Sequence, residues 1–167
     1  MNTDGAVKRT LGPAGAGGVL RDDKGEWILG FSEYLGHCST LTAELKAVVR
    51  GLKIAQELGA QHLWVRTDSK VLWGMMVDQY HCHPELHFLV QTCRRLLYAT
   101  AWDVKITHCF RETNQVADKL ANMGVTGRLG AILYQLPPME IQDVLYADRM
   151  GVLWPGEFVI NKSFSGC

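Results

Sequence analysis

The stretch His62-Leu63-Trp64-Val65-Arg66-Thr67-Asp68-Ser69, residues 62–69, decides the fold because an apolar strand in it leads to a carboxylate. Residues 62–66 form a short, largely apolar run, which predicts a buried strand. Residues 71–76, Val-Leu-Trp-Gly-Met-Met, then predict a helix. Asp68 is therefore expected at a strand-to-helix junction.

Helices are predicted on both sides of this stretch. Before it, apolar residues recur at spacings of three and four, and Gly59 supplies a helix stop. After it, Pro84 suits the first turn of a further helix. The inner faces of the two helices consist of Leu45, Val48, Val49, Leu52, Ala55 and Leu58 in the first, and Leu86, Leu89, Val90, Cys93, Leu96 and Leu97 in the second.

More strands are predicted near both ends of the chain. Residues 16–21 and 26–34 are strand-like, and the turn cluster Asp22-Asp23-Lys24-Gly25 joins them as a hairpin. Residues 102–108 form the last convincing strand, and Thr113 or Asn114 can cap a final helix. Strands that come first and then alternate with helices indicate a mixed sheet flanked by helices.

The periodic pattern weakens beyond Met123, where glycine and proline interrupt it. Only residues 141–150 indicate one more short helix. We therefore divide the chain into a domain of residues 1–123 and a partly irregular C-terminal extension of residues 124–167.

Composition limits the class of protein. The 167 residues, 47% of them hydrophobic, suffice for one core and are too few to suggest two. Lys and Arg total 17 and Asp and Glu total 17, so any nucleic-acid binding must be local. Because the sequence shows neither a membrane-length apolar run nor a signal peptide, we expect a soluble intracellular protein without membrane contact. The sequence does not distinguish cytoplasm from nucleus.

Four short acidic motifs each place a carboxylate where a predicted strand ends or a helix begins: Asp4, Glu44, Asp68 and Asp118. Carboxylates that converge repel one another unless divalent cations lie between them. Two such ions about 4 Å apart can activate water and stabilise a leaving oxygen in phosphodiester cleavage. His108 precedes Asp118 by ten positions and could exchange a proton, because imidazole titrates near neutrality. The motifs predict a metal-dependent active site.

The order of these motifs closely resembles ribonuclease H type 1. The resemblance includes Asp4-Gly5 on a first strand, a glycine-rich stretch at residues 12–18, Ala43-Glu44-Leu45 opening a helix, and Thr67-Asp68-Ser69 after a strand. The stretch Arg111-Glu112-Thr113-Asn114-Gln115-Val116-Ala117-Asp118-Lys119-Leu120-Ala121 is typical of its plant, retroelement-related branch. The resemblance extends from Met1 to about Met123.

This resemblance implies an α/β ribonuclease H-like fold with a five-stranded mixed sheet and helices on both faces. It implies hydrolysis of the RNA strand of RNA/DNA hybrids with two Mg²⁺ ions, for which Mn²⁺ can substitute. We expect the chain to be a monomer. The implied metal ligands are Asp4, Glu44, Asp68 and Asp118, and the implied mobile catalytic histidine is His108. The implied substrate contacts are Asn114 for the RNA strand, Ser39 and Thr40 for a DNA phosphate, and Ser69 and Lys70 for the substrate near Asp68.

Two features depart from the family pattern. Only Met1, Asn2 and Thr3 precede Asp4, so we expect a truncated first strand and reduced activity. Residues 78–87 lack the clustered Lys and Arg with which bacterial relatives grip a hybrid, so we expect modest affinity.

Two alternatives remain. The expected truncation of the first strand favours a catalytically weak or inactive module of the same fold that binds nucleic acid or a protein. A metal-dependent exonuclease or integrase on a related fold is disfavoured, because those proteins order their acidic residues differently.

Overall fold

A mixed six-stranded sheet forms the centre of the computed structural model, which describes residues 1–127 and 130–150. The strands are β1 (Asn2–Val7), β2 (Pro13–Arg21), β3 (Trp27–His37), β4 (His62–Thr67), β5 (Asp103–His108) and β6 (Ala131–Tyr134). They lie in the order β5-β4-β1-β2-β3-β6. The β1–β2, β2–β3 and β3–β6 pairs are antiparallel, whereas β1–β4 and β4–β5 are parallel. The expected mixed α/β class is confirmed.

Helices cover both faces of the sheet, as expected. Helices α1 (Thr40–Glu57), α2 (Lys70–Met76) and α3 (His87–Leu97) pack together around one apolar cluster on one face. Helix α4 (Gln115–Gly127) packs on β1, β2 and β3 from the other face, and α5 (Gln142–Arg149) packs on α4. A second cluster of buried apolar side chains contains Val19, Val116, Leu120, Ile141, Val144 and Leu145.

Strand β1 begins two residues before Asp4 and is paired along its whole length. Asn2 and Thr3 already belong to the strand, and all six of its residues pair with β2, with Asp4 opposite Gly17. Asn2 also pairs with Arg66 of β4. Asp4 therefore lies inside a paired strand, with Asn2 and Thr3 on its N-terminal side.

The sheet has six strands and not five, because β6 adds to its edge. Leu133 pairs with Phe31 of β3, and the Tyr134 hydroxyl lies 2.9 Å from the Ser32 hydroxyl. Helix α4 crosses the proposed boundary at residue 123 and ends at Gly127. Helix α5 occupies most of the 141–150 segment. Residues 128, 129 and 151–167 of the predicted extension lie outside the described residues. No helix among the described residues is both long and apolar enough to cross a membrane.

Candidate active site

The four predicted carboxylates lie together. Asp4 is in the middle of β1, Glu44 is in α1, Asp68 directly follows β4, and Asp118 is in the first turn of α4. All four line one cavity of about 370 Å³, which Thr40, Arg111 and Asn122 also line. Four elements that are distant in sequence therefore contribute one carboxylate each to one site.

Two glycines let the helices approach β1 and β2 closely enough to form this cavity. A Cβ at Gly5 would lie 2.2 Å from the backbone nitrogen of Glu44. On the other face, a Cβ at Gly17 would lie 2.1 Å from the backbone nitrogen of Ala121, three residues after Asp118. Because successive strand residues point to opposite faces, β1 and β2 can accept α1 on one side and α4 on the other. These contacts bring Glu44 and Asp118 to Asp4.

Burial and like charge make the cluster electrostatically costly. Burial, followed by the charges of Asp68 and Asp118, raises the pKa of Asp4 to about 8. Burial also raises the pKa of Glu44 to about 7, against the effect of a hydrogen bond from Ser69. Below about pH 7 the protonated forms of both Asp4 and Glu44 are thus favoured.

Polar neighbours fix the other two carboxylates. Asn114 donates from Nδ2 to Asp68 Oδ1 at 3.2 Å. Asn122 donates from Nδ2 to Asp118 Oδ2 at 3.3 Å, and Arg111 Nη2 lies 3.6 Å from Asp118 Oδ1. Arg111 is largely exposed, so its ion pair contributes little to stability and leaves the guanidinium accessible.

The donor set fits a hard divalent cation. Carboxylate oxygens are the ligands that Mg²⁺ and Mn²⁺ prefer, and a cation would offset the burial and the repulsion that raise the pKa of Asp4. As the described side chains are oriented, no three His, Cys, Asp or Glu residues form a group ready to hold one ion.

His108 lies at the end of β5, beside the cluster but not in the cavity lining. Its Nε2 is 3.2 Å from the backbone oxygen of Asp68, and its ring meets Phe110 edge to face at 6.3 Å. The imidazole is half-buried. Its position places a titratable group next to the backbone that carries Asp68.

Ser39, Thr40, Ser69 and Lys70 lie at the starts of two helices near the cavity. Ser39 and Ser69 are the N-caps of α1 and α2, and each hydroxyl accepts a backbone N–H, from Thr42 and Leu72 respectively. Thr40 lines the carboxylate cavity, and Lys70 is exposed at the first position of α2. Ser39 and Thr40 also line a second cavity of about 510 Å³.

Asn114 lies where a direct contact with RNA is not available. Its side chain is 1% exposed. Nδ2 donates to the Thr3 carbonyl at 3.0 Å as well as to Asp68, and Oδ1 accepts from Asn2 at 3.1 Å. The prediction of an RNA contact therefore does not fit the structure, because the amide is used inside the protein.

Sequence reasoning missed several residues near the carboxylates. Arg111 and Asn122 line the carboxylate cavity, and Arg9 and Thr10 line the second cavity beside Ser39. Asn122 follows Asp118 by four residues, a spacing that places both on one helix face. Arg9 and Thr10 carry no comparable signal, because only the folded hairpin between β1 and β2 brings them to α1.

Solved structures share this architecture. The crystal structure of RNase H1 from Halobacterium salinarum matches with a TM-score of 0.71 and 30% identity over 75% of this chain and 96% of that chain. LC11-RNase H1, in complex with an RNA/DNA hybrid, matches with a TM-score of 0.71 and 28% identity over 77% of this chain and 97% of that one. The fold and the carboxylate cavity thus define a protein of the ribonuclease H class.

Sequence comparison specifies the family. The profile of the reverse transcriptase-like family matches residues 2–124, so the chain belongs to that family. A putative ribonuclease H protein of Arabidopsis thaliana is 39% identical over 155 residues, which are 93% of this chain and 25% of that protein. Ribonuclease HI of Halobacterium salinarum is 31% identical over 120 residues, 71% of this chain and 60% of that protein. The chain thus spans a quarter of the plant relative and three-fifths of the archaeal one.

Proposed function

We propose that this protein is a metal-dependent endonuclease that hydrolyses the RNA strand of RNA/DNA hybrids. The observation that carries the proposal is the convergence of Asp4, Glu44, Asp68 and Asp118 from four elements on one cavity. Relatives named ribonuclease H and a solved ribonuclease H1 bound to an RNA/DNA hybrid support the same substrate class. We further propose that the chain acts as a monomer, since one chain supplies all four carboxylates.

Mg²⁺ or Mn²⁺ would be held by the four carboxylates, and we propose two ions. When bound, such ions activate a water molecule and stabilise the leaving oxygen of a phosphodiester. The residues of the chain prepare the site for this chemistry. Asn114 orients Asp68, while Asn122 and Arg111 orient Asp118.

His108 is proposed to supply a proton to the leaving oxygen. Its Nε2 contacts only the Asp68 carbonyl oxygen among hydrogen-bonding partners of the described residues. An imidazole held by one hydrogen bond can exchange that bond for a hydrogen bond to a substrate oxygen, and it can change charge near neutral pH. The edge contact with Phe110 keeps the ring at the end of β5.

The second cavity is proposed to bind a phosphate of the DNA strand. Arg9 offers a guanidinium, and Thr10, Ser39 and Thr40 offer hydroxyls around about 510 Å³. Thr40 lines both cavities, so a duplex can reach the carboxylates and this pocket together. Lys70 and Ser69 are proposed to contact the substrate on the Asp68 side.

We propose residues 1–123 as the ribonuclease H unit and residues 124–167 as an extension of it. Helix α4 crosses that boundary, and Lys119 of α4 binds Asp143 of α5 at 2.8 Å. The described part of the extension is thus packed on the proposed unit and contributes strand β6.

A weakly active or inactive nucleic-acid-binding module is the second candidate. One observation favours it, namely that no three of the described acidic, His or Cys side chains stand ready to hold an ion. An enzyme requires that a cation draw the carboxylates together, whereas a binding module does not.

Cleavage of a labelled RNA/DNA hybrid in Mg²⁺ or Mn²⁺ separates the two candidates. Asp68→Asn should reduce the cleavage rate by more than about a hundredfold, because transition-state stabilisation worth several kcal/mol is lost. Asp23→Asn, the same change in the exposed β2–β3 turn, should cleave like the wild type. Equal traces from wild type and Asp68→Asn would exclude the enzyme and leave the binding module.

A further inference from the structure

The outer face of strands β4 and β5 is open. More exposed and less exposed residues alternate along β4 and along β5 as far as Thr107, and the parallel register places Trp64 beside Lys105 and Arg66 beside Thr107. Paired residues of neighbouring strands point to the same face. Helix α4 packs on β1, β2 and β3, and no described helix packs extensively on this side of β4 and β5. We call this surface the β4–β5 face; it consists of His62, Trp64, Arg66, Asp103, Lys105 and Thr107.

Trp64 presents a fixed aromatic ring at the centre of this face. It is 56% exposed, although a side chain of this size is usually well buried. Its indole Nε1 donates to Thr107 Oγ1 at 2.6 Å, so the ring is oriented by the neighbouring strand. A rigid, accessible aromatic ring on a sheet is the surface on which nucleic-acid bases stack.

The charges around Trp64 suit a phosphate backbone. Lys105 Nζ lies 5.5 Å from the centre of the Trp64 ring, and Arg66 is the next outward residue along β4. Neither cation forms an ion pair with a described carboxylate. Asp103, the one acidic residue of the face, lies 3.6 Å from His62. The centre of the β4–β5 face is therefore aromatic and positively charged.

Lys105 would have to move for a base to stack on the same side of Trp64, and this movement is inexpensive. An exposed cation–π contact is weaker than the stacking of a base on an aromatic ring. The lysine side chain is exposed and flexible, so its ammonium can transfer from the ring to a phosphate.

A cavity of about 440 Å³ borders the face. His62, Trp64 and Arg66 of the face line it together with Arg21, Asp22 and Asp23. Basic and acidic side chains are thus mixed at this border, whereas the centre of the face carries Lys105 beside Trp64.

We propose that single-stranded nucleic acid binds to the β4–β5 face, with a base stacked on Trp64 and phosphates against Lys105 and Arg66. This surface is separate from the carboxylate cavity, and a chain that failed to cleave hybrids would still bind a strand here. Stacking and charge contacts of this kind do not distinguish ribose from deoxyribose, so RNA and DNA strands both bind.

Fluorescence anisotropy of a labelled 12-nucleotide strand, with the whole chain in EDTA at low salt, tests the proposal. Trp64→Ala should weaken binding about tenfold, as expected for the loss of one stacked base. Trp64→Phe should keep affinity within about threefold of wild type, because the stacking surface persists. The effects of both variants are expected to be the same with an RNA strand and with a DNA strand. An abasic strand of the same length should bind to the wild type several-fold more weakly than a strand with bases.

A pair of charge reversals provides the matched control. Lys105→Glu should weaken binding at least fivefold, whereas Lys53→Glu in α1, on the opposite side of the sheet, should change it less than twofold. Equal effects of the two reversals would overturn the proposal, since only net charge would then matter. Unchanged affinity in Trp64→Ala, with melting curves like wild type, would also overturn it, as would equal binding of the abasic strand.

Discussion

The side-chain amide of Asn114 donates to Asp68 Oδ1 at 3.2 Å and joins that carboxylate to the backbone of β1. The same amide donates to the Thr3 carbonyl, one residue before Asp4. A single buried side chain thus fixes the spacing between two of the four carboxylates. This role differs from a contact with substrate, and it places Asn114 among the positioning residues of the site.

Asn114→Ala should lower both stability and turnover. It leaves the buried Thr3 carbonyl without a donor and frees Asp68, which should reduce the free energy of unfolding by about 1–3 kcal/mol. Because Asn114 is buried and holds Asp68 and the Thr3 carbonyl, kcat should fall more than KM rises. Urea unfolding and cleavage kinetics measure these changes.

Asn122→Ala is the matched control, since Asn122 also donates to a carboxylate but is exposed. Its stability should stay within about 0.5 kcal/mol of wild type. Equal losses of stability in the two variants would contradict the positioning role of Asn114.

The order of elements that positions the carboxylates could be predicted because it depends on local patterns. Asp68 follows an apolar run, and Glu44 lies at the start of a helix with a regular apolar face. Such signals need no knowledge of the partners with which the elements pack. They were sufficient for the mixed sheet and for the convergence of the four carboxylates.

The features that could not be predicted depend on tertiary pairing. Residues 131–134 become a strand only because β3 offers an edge, with Phe31 opposite Leu133. Asn114 is a plausible helix cap or substrate contact in the sequence, and its burial follows from the neighbouring Asn2 and Thr3 in the fold. Polar residue type alone does not distinguish an internal amide from a surface one.

The stability of the metal-free protein should fall as pH rises from about 4 to about 8. The pKa of Asp4 is raised from 3.8 to about 8 and that of Glu44 from 4.5 to about 7. In this window the native chain retains protons that the unfolded chain has released, so the free energy of unfolding decreases with pH and levels off above it. Urea unfolding in EDTA at pH 5.5 and 8.5 measures the decrease.

Asp4→Asn should make the free energy of unfolding depend less on pH, since it removes the carboxyl whose pKa is raised most. Asp23→Asn removes an exposed carboxyl and should leave the slope unchanged. A slope in Asp4→Asn as steep as in wild type would show that the cluster does not cause the pH dependence.

Divalent cations should stabilise the native chain, and more at pH 8.5 than at pH 6. A ligand at a hundred times its Kd adds about 2.7 kcal/mol when only the folded state binds it. At lower pH the cation must displace protons from Asp4 and Glu44, which weakens binding. Thermal melts with and without millimolar Mg²⁺ or Mn²⁺ measure the shift.

Asp118→Asn should lose most of this stabilisation, and Asp143→Asn, which changes an exposed carboxylate on α5, should keep it. A cation that stabilised Asp118→Asn and wild type equally would be binding outside the cavity.

Gly5→Ala should displace α1 and disable the site, although Gly5 has no functional group. The added Cβ would lie 2.2 Å from the backbone nitrogen of Glu44 and 2.4 Å from the carbonyl carbon of Ala43, so the helix itself must shift. Overpacking of this kind costs about 1–3 kcal/mol or more, and the shift carries Glu44 away from Asp4. We therefore expect a lower free energy of unfolding, loss of hybrid cleavage, and a smaller stabilisation by Mg²⁺.

Gly127→Ala, at the end of α4 where a Cβ meets nothing within 4 Å, should instead leave stability unchanged or raise it by up to about 1 kcal/mol. If Gly5→Ala cleaved hybrids and responded to Mg²⁺ as Gly127→Ala does, then the close approach of α1 to β1 would not be what places Glu44 in the site.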